Sequence, residues 1–427
     1  MNLNNYCLKN GLVYYEGRFQ QLDIIIETGI VKEIGQFEYD GTIIDCSNKL
    51  ITSSFIDPHV HFRTPGFSYK EDLKTGSKAA LKGGYSHVFE MPNTNPCLDD
   101  YKTIVDHLKE IKKEALCYVY PFSAASTNLA GLELVDVNEI ATLPIAGFSD
   151  DGKGIQSNNL MKEILIEAGK YQKVVSAHCE DEKEFKDGMG CIGVGQTSEK
   201  TGLKAINNKS EYAMIARDIE IIKTIHNKHN YQYHVCHLST KESLAIIKEA
   251  KKLKLNVSCE VTPHHLISDE AQIDINDSNY KMNPPLRSKD DVAYLIAGLN
   301  EGYIEVIATD HAPHSEEEKT QAIEKAPFGI IGLELAFSLL NTYLVKTNKV
   351  KLETVLKCLI DNPRRLFKVD NELKINKKAY LNVIDLDKKV VYTKDNLVSK
   401  SANTFYLNSE LVGKIEMTIF EDKQYQW

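Results

Sequence analysis

Histidine and aspartate residues stand at the ends of several apolar segments, where metal ligands could gather. In FIDPHVHFRTPG, His59 and His61 are two residues apart, so both imidazoles would point to the same side of an extended strand. The segments that end in GFSDDG, SAHCED, HVCHLST and IATDHAPH add these candidates: Asp150 or Asp151, His178, His234 or His237, and Asp310. Four imidazoles and two carboxylates would suit zinc or a similar divalent ion, with a coordination position left for water.

Two choices within this set stay open. Asp150 and Asp151 alternate along the chain, and their spacing does not choose between them. His234 and His237 are three residues apart, so in a regular strand they face opposite ways. We prefer His237, because it lies later in its segment, directly before a loop and a helix, and we expect His234 to be packed or at the surface.

The other histidines and Cys179 have simpler structural interpretations. His264 and His265 could reach the site, but a supporting role or a place at a helix start explains them equally well. Cys179 would point away from the site as an inert buried thiol. Structural roles are expected for four histidines that lie within elements or on helical surfaces: His87, His107, His226 and His229.

Eight apolar, β-type segments would have to position these side chains. They alternate with stretches that have apolar residues at helical spacing, such as ESLAIIKEAKKL. This alternation predicts an α/β fold of the (β/α)8 barrel type, in which catalytic groups come from the C-terminal ends of the strands. The candidate ligands lie at those ends. The segments are 51–59, 87–91, 116–122, 145–150, 174–178, 231–237, 256–261 and 304–310.

Short β-type runs occur at both ends of the chain. GLVYYEG and LDIIIETG lie near the start, and AYLNVIDL and GKIEMTIFED lie near the end. Such runs could pair into one satellite domain. We therefore predict a small β-sandwich-like domain built from residues 1–50 and 367–427, and a barrel over residues 51–366.

Composition argues against several classes of function. The net charge of −9 opposes extensive contact with phosphate backbones, so we expect no nucleic-acid partner. No apolar stretch approaches the ~20 residues that cross a bilayer, so we expect no membrane role. Nine scattered cysteines without a C-x-x-C pair fit reduced thiols, and the first residues show no export signal. We expect a cytoplasmic protein.

Several motifs resemble those of the long bacterial type of dihydroorotase, in the amidohydrolase superfamily. They are DPHVHFRTPG from Asp57, KED from Lys70, GGYSHVFEMPNTNP from Gly83, AHCED from Ala177, YHVCHLSTKES from Tyr233, VTPHHL from Val261, YKMNPPLR from Tyr280, IATDHAPH from Ile307 and APFGIIGLE from Ala326. The resemblance spans nearly the whole barrel. It implies one or two zinc ions per chain and these metal ligands: His59, His61, Asp151, His178, His237 and Asp310.

The resemblance also implies a substrate and a reaction. The reaction is the reversible hydrolysis of (S)-dihydroorotate to N-carbamoyl-L-aspartate in pyrimidine biosynthesis, by hydroxide formed at the metal, with Asp310 moving the proton. Residues similar to those that bind this substrate are Arg63, Asn93, Asn283, His314, Phe328 and Gly329. A guanidinium fork matches a carboxylate, and the spacing of His61 and Arg63 predicts that both lie on one strand face. Aspartate transcarbamoylase is a candidate partner, and a homodimer is a candidate assembly.

Two positions depart from the family pattern. Thr64 stands where the family usually has an acidic residue, and nothing in the sequence explains that change. Asp151 stands where many amidohydrolases carry a carboxylated lysine, so either one or two metal ions are compatible with the sequence.

Two other functions compete with this interpretation, and the structure of one segment is open. A hydantoinase or allantoinase would share the barrel and the metals, but Arg63 argues against a neutral ring substrate. A silent homologue that acts as a scaffold would lose ligands, whereas every candidate ligand is present here. The polar segment 262–286 is either a mobile lid over the barrel mouth or an ordered surface loop.

Overall fold

The computed structural model describes residues 4–185 and 188–427, so the first three residues of the predicted satellite domain lie outside the described chain. Five strands come first: β1 (Asn5–Tyr15), β2 (Arg18–Glu27), β3 (Ile30–Gly35), β4 (Thr42–Asp45) and β5 (Leu50–Ser53). β1 pairs antiparallel with β2 and parallel with β4 and β5. These strands are rich in β-branched residues, which pack well on a pleated surface.

Parallel strands then form a barrel. The strands, in chain order, are β6 (Phe55–Val60), β7 (Tyr85–Glu90), β8 (Tyr118–Pro121), β9 (Gly147–Phe148), β10 (Val174–Ala177), the separate short pair β11 (Ile192–Gly193) and β12 (Ala205–Ile206), then β13 (Tyr233–Val235), β14 (Val257–Val261) and β15 (Val306–Ile307). Parallel ladders connect neighbouring strands in two runs. The first run is β6, β7 and β8, and the second is β9, β10, β13, β14 and β15. Bridges from Ser123 to Phe148 and from Val60 to His311 close the ring. Within the described residues the barrel has eight parallel strands, which confirms the predicted (β/α)8 fold.

Helices connect the barrel strands and cover their outer side. They are α1 (Leu73–Lys82), α2 (Tyr101–Glu114), α3 (Val137–Ile140), α4 (Asn158–Lys170), α5 (Gln196–Thr201), α6 (Lys209–Ile225), α7 (Lys241–Lys252), α8 (Pro263–Ile267), α9 (Lys289–Asn300), α10 (Glu316–Lys319), α11 (Ala336–Leu340), α12 (Leu352–Leu356) and α13 (Asn362–Phe367). In α7, Thr240 caps the first turn, and Leu244 and Ile247 form the buried face. Of the helices in the described ranges, none has the length and apolar character that crossing a bilayer requires.

The last three strands return to the terminal sheet. They are β16 (Tyr380–Val391), β17 (Glu410–Phe420) and β18 (Lys423–Gln426). β16 pairs antiparallel with both β5 and β17, so both chain ends contribute to one sheet, as predicted. β5 lies in this sheet and directly precedes the first barrel strand. The domain boundaries at residues 50/51 and 366/367 stay a prediction.

Two apolar cores support this arrangement. The larger one lies around the barrel and includes Leu81, Ile164 and Leu244, while a second core under the terminal sheet includes Ile24 and Leu381. All nine cysteines are free thiols, in line with the predicted reduced state. The barrel is therefore anchored on its outer side, which leaves the strand ends free to present side chains.

Candidate active site

The six predicted ligands meet at the C-terminal ends of the barrel strands, and all six are buried. His59 lies in β6, and the other five lie one to three residues beyond the ends of β6, β9, β10, β13 and β15: His61, Asp151, His178, His237 and Asp310. His237 and Asp310 have positive φ angles of 31° and 49°. This left-handed region is uncommon for residues with a side chain and concentrates at functional sites.

Asp151 lies between two groups of histidines. Its Oδ1 is 3.5 Å from His59 Nε2, 3.6 Å from His178 Nδ1 and 3.7 Å from His237 Nε2. Its Oδ2 is 3.6 Å from His61 Nε2. Donor atoms bonded at about 2.1 Å to a tetrahedral zinc ion lie about 3.4 Å apart. The observed separations match that spacing, so these side chains fit the coordination shell of a small divalent cation.

Unpartnered buried atoms point to the same cation. His59 Nε2 and Asp151 Oδ1 have no hydrogen-bond partner among the described residues. Leaving a buried polar atom unpaired is destabilising, by about 1–3 kcal/mol or more for charged groups. A bound cation would satisfy both atoms. Among the described residues, three triads have ligand atoms within 4.8 Å of one another: His59, His61 and Asp151; Asp151, His178 and His237; and His59, Cys236 and Glu260.

Asp310 completes the group on the side of His61. Its Oδ1 is 3.0 Å from His61 Nε2 and 3.5 Å from His59 Nε2. Burial alone would raise the pKa of Asp310, but the neighbouring His59 and His61 hold it well below its usual value. The carboxylate is therefore ionised at neutral pH.

Hydrogen bonds distinguish Asp150 from Asp151. Asp150 accepts hydrogen bonds from the backbone amides of Ala125 at 2.8 Å and Ser126 at 3.0 Å. Its carboxylate therefore binds the loop after β8. Asp151 is the residue of this pair that faces the histidines. The decisive contacts come from a distant segment, which is why spacing alone left the choice open.

His237 is the residue of the pair His234 and His237 that contacts Asp151, and the regular strand assumed for the alternation ends before His237. β13 ends at Val235, and the positive φ of His237 breaks the regular alternation beyond it. His234 is fully buried, with Nε2 3.0 Å from Glu260 Oε2 and Nδ1 2.8 Å from Ser258 Oγ. His234 therefore lies packed beneath the candidate ligands. A packed position was one of the two placements expected for it.

Glu260 is a site residue that the sequence reasoning missed. Its Oε1 is 2.7 Å from His59 Nδ1, and its Oε2 contacts His234. Burial alone would raise the pKa of Glu260. The neighbouring His59 and His234 have the larger effect and lower it to about 2. A carboxylate that accepts from Nδ1 leaves Nε2 of His59 free to ligate a metal. The available signal was an acidic residue among the otherwise uncharged residues of the predicted strand VSCEV.

A second set of side chains lines the region beside the ligands. Arg63 Nε donates to the carbonyl oxygen of Pro313 at 3.1 Å, and Arg63 Nη2 is 3.3 Å from His314 Nε2. Burial lowers the pKa of Arg63 to about 10, so it is charged at neutral pH. The predicted shared strand face is wrong in detail, because β6 ends at Val60 and Arg63 has a φ of 64°.

The remaining predicted substrate residues lie around the same region. Asn93 Nδ2 donates to Asp151 Oδ2 at 3.3 Å, and Asn93 Oδ1 is 3.0 Å from His61 Nδ1. Asn283 Nδ2 donates to Glu180 Oε2 at 3.1 Å and lies 3.5 Å from His178 Nε2. His314 Nε2 is 2.7 Å from the carbonyl oxygen of Phe328, next to Gly329. Thr64 is buried, with Oγ1 3.2 Å from Ser68 Oγ, and nothing in the structure explains its identity.

The other histidines lie apart from the ligands or support the site. His264 and His265 occupy the first turn of α8, where His265 bonds to Thr262 and to the Pro284 carbonyl. Burial lowers the pKa of His264 to about 4, with smaller effects from Asp310 and His237. Structural contacts hold three others: His87 to Ser86, His107 to Glu90, and His226 to Tyr231. His229 is exposed, and Cys179 is buried near Tyr233.

Segment 262–286 is largely buried. It contains α8 and two short 3-10 turns, Glu270–Gln272 and Ser278–Tyr280. Met282 and Leu286 pack in a small core with Ile330 and Leu335. The segment therefore carries Asn283 on a packed support, and closure over a ligand stays a prediction.

Known proteins resemble this chain over nearly its whole length. It is 40% identical over 419 residues to a curated dihydroorotase from Fusobacterium nucleatum, with 97% of each chain covered. It is 41% identical over 412 residues to a dihydroorotase from Listeria monocytogenes, covering 96% of this chain and 95% of that one. A family model described as Dihydro-orotase-like matches residues 48–243.

Solved structures share the architecture. Dihydropyrimidinase from Brevibacillus agri superposes with a TM-score of 0.83 at 18% identity, covering 98% of this chain and 94% of that chain. L-hydantoinase from Arthrobacter aurescens has a TM-score of 0.83 at 21% identity, covering 99% and 96%. At these identities the two structures support the fold alone. The full-length identity to curated relatives carries the assignment further: this chain belongs to the dihydroorotase family.

Proposed function

We propose that this protein catalyses the reversible hydrolysis of the ring amide of (S)-dihydroorotate to N-carbamoyl-L-aspartate, as a step of pyrimidine biosynthesis. One observation carries the proposal: buried His and Asp side chains converge at the barrel mouth, and the partly buried cation Arg63 lies beside them. The first feature suits attack on an amide, and the second suits a substrate that carries a carboxylate. Relatives named dihydroorotase support the same activity.

Zinc is the cation that we propose for the ligand set. Imidazole and carboxylate donors suit it, and the two oxygens of Asp151 face different histidines, which supports two ions as well as one. His59, His61 and Asp310 would hold one ion, His178 and His237 a second, and Asp151 would lie between them. When bound, zinc supplies Lewis acidity that polarises an amide carbonyl and lowers the pKa of water towards about 7.

Asp310 moves the proton in this proposal. Its ionised carboxylate accepts a proton from the attacking water and donates that proton to the departing ring nitrogen. In the reverse direction, the same carboxyl group takes the proton from the nitrogen that closes the ring. Cyclisation uses the protonated form of the substrate carboxylic acid, so it gains as pH falls, and hydrolysis gains as pH rises.

Arg63 binds the substrate carboxylate in this proposal. Its Nε is held by the Pro313 carbonyl, so the guanidinium has a fixed direction and keeps its Nη groups for a ligand. Asn93 adds a hydrogen-bonding group and also touches two ligand side chains. Asn283, His314 and the backbone at Phe328 and Gly329 orient the ring.

A comparison of substrates tests the proposed activity against the rival cyclic amidases. Zinc-loaded protein should open dihydroorotate with a kcat/KM about 100-fold or more above that for hydantoin, because hydantoin offers no carboxylate to the partly buried Arg63. The variant Arg63→Met should lose about 100-fold in kcat/KM for dihydroorotate and change little with hydantoin. Equal or better turnover of hydantoin by the unmodified protein would contradict the proposal.

The proposal also covers location and partners. We place the enzyme in the cytoplasm, supported by nine free thiols. Aspartate transcarbamoylase and a second copy of this chain are the candidate partners. Gel filtration of the protein alone and with that enzyme would detect either association, and elution as a monomer in both experiments would contradict both.

A further inference from the structure

Lys70 contacts the substrate region without being one of its predicted residues. Its Nζ is 3.3 Å from His314 Nδ1 and 2.8 Å from Glu318 Oε1. The Lys70 side chain is 12% exposed, so these contacts are largely shielded from water. The ring of Phe67 lies 5.4 Å from the ammonium group. The ammonium group is thus held in place beside one particular nitrogen of His314.

The contacts of His314 determine where its proton lies. An ammonium group only donates hydrogen bonds, and Glu318 Oε2 lies 3.6 Å from Nδ1, beyond hydrogen-bond distance, so the Nδ1 that faces Lys70 is the accepting nitrogen. The proton of a neutral ring then lies on Nε2, where it donates to the Phe328 carbonyl at 2.7 Å. Burial, with Arg63 and Lys70 nearby, lowers the pKa of His314 below its usual value, which agrees with a neutral ring.

This tautomer fits the proposed binding of a carboxylate. Arg63 Nη2 is 3.3 Å from His314 Nε2, and both are donors in this tautomer, so neither uses up the other. The Nη2 donor of Arg63 therefore stays available to an anion, while the Nε2–H group of His314 stays on the Phe328 carbonyl. If the proton moved to Nδ1, the Nε2 lone pair would face the Phe328 carbonyl, which is repulsive, and it would accept from Arg63 Nη2 in place of the substrate carboxylate.

We propose that Lys70 is a positioning residue that fixes His314 in its neutral Nε2–H tautomer, and that it thereby tunes recognition of the substrate carboxylate. This inference rests on the proposed function for its consequence, though the tautomer itself does not depend on any activity. Glu318 assists by holding the Lys70 ammonium group in place.

Kinetics of Lys70 variants test the consequence. Lys70→Met should raise KM for dihydroorotate by about 10-fold to 100-fold and lower kcat much less, because a charged hydrogen bond to the binding group is lost. Lys70→Arg restores a donor and should recover most of the affinity. The matched control is Lys400→Met, since Lys400 bonds to the Ser68 carbonyl on the same loop but not to His314. An unchanged KM in Lys70→Met would overturn the inference.

Nitrogen NMR of the zinc-loaded, ¹⁵N-histidine-labelled protein tests the tautomer directly. His314 should show an unprotonated Nδ1 and a protonated Nε2, and Lys70→Met should shift this pattern towards a mixture. A protonated Nδ1 in the unmodified protein would overturn the inference, even if Lys70→Met failed to fold. If the unmodified protein turns over no dihydroorotate, the proposed function fails, while the NMR result still decides the tautomer.

Discussion

At the scale of single residues, the geometry assigns different tasks to chemically similar side chains. Asp150 and Asp151 are adjacent, yet one accepts backbone amides and the other faces four imidazoles. Sequence motifs identified the candidate ligand types and the segments that carry them. They did not identify Glu260, because its partners His59 and His234 come from two other strands. The spacing of residues along one segment gives no information about contacts with distant segments.

Replacing Asp310 tests the proton-transfer role. Asp310→Asn keeps the size of the side chain but removes the proton acceptor, so kcat for dihydroorotate should fall by about 10²–10⁴-fold. Steady-state kinetics with zinc-loaded protein, together with circular dichroism, measures the effect on a folded variant. Near-normal turnover by Asp310→Asn would show that another group moves the proton.

Replacing Glu260 tests how the metal ligands are held. Glu260→Gln should weaken zinc binding by about 10-fold to 100-fold, because His59 loses the carboxylate that orients its ring. Competition with a coloured chelator measures the affinity. Glu90→Gln is the matched control, since Glu90 also pairs with a buried histidine, His107, at 2.9 Å. Equal zinc affinities for the two variants would contradict the role of Glu260 in orienting His59.

At the scale of elements, loops beyond the strand ends carry most of the site. The eight predicted segments contain or overlap the observed barrel strands, but several strands are shorter than predicted, and β9, β13 and β15 span only two or three residues. Regular alternation therefore ends before Arg63 and His237, and their positive φ angles set the side-chain directions. Hydrophobic patterns locate strands well, whereas a local turn in the left-handed region leaves no apolar period to detect.

Lys319 joins two of these loops and offers a test at this scale. Its buried ammonium group donates to the carbonyls of Ser278 and Pro327 at 3.0 Å and of Lys281 at 3.3 Å. Lys319→Met should loosen the chain around Gly329, raise KM for dihydroorotate by roughly 10-fold and speed hydrogen exchange in that loop. Lys325→Met, at an exposed position of the same loop, is the control. Unchanged exchange at residues 327–330 would contradict this role.

At the scale of the whole molecule, the barrel and the two-ended sheet follow from the order of apolar segments. Alternating strands and helices predict parallel pairing, and β-type runs at both ends predict a shared sheet. The closing bridge from Val60 to His311 joins segments about 250 residues apart, and no local pattern specifies it. Closure is instead a property of the ring as a whole.

Global stability should depend on pH through buried neutral histidines. Burial lowers the pKa of His87 to about 3, whereas the same histidine in the unfolded chain has a pKa near 6.5. The unfolded state therefore binds a proton first as pH falls, so stability is greatest above pH 6.5 and is lost between about 6.5 and 3. The loss from His87 alone approaches about 1.4 kcal/mol per pH unit.

Urea unfolding at pH 7.5 and 5.5 measures this dependence. His87→Phe should reduce the difference in free energy of unfolding between the two pH values by about 1.4 kcal/mol. His229→Gln should behave like the unmodified protein, because the His229 side chain is exposed. The same pH dependence in His87→Phe as in the unmodified protein would contradict the prediction.

Zinc removal and return test the central claim most directly. The protein would be stripped with a chelator and titrated with zinc, while bound zinc and turnover of dihydroorotate are measured on the same samples. We predict that turnover disappears in the stripped protein and returns in proportion to zinc, up to one or two ions per chain. Turnover that persists without metal, or a zinc-loaded protein that leaves dihydroorotate intact, would contradict the account.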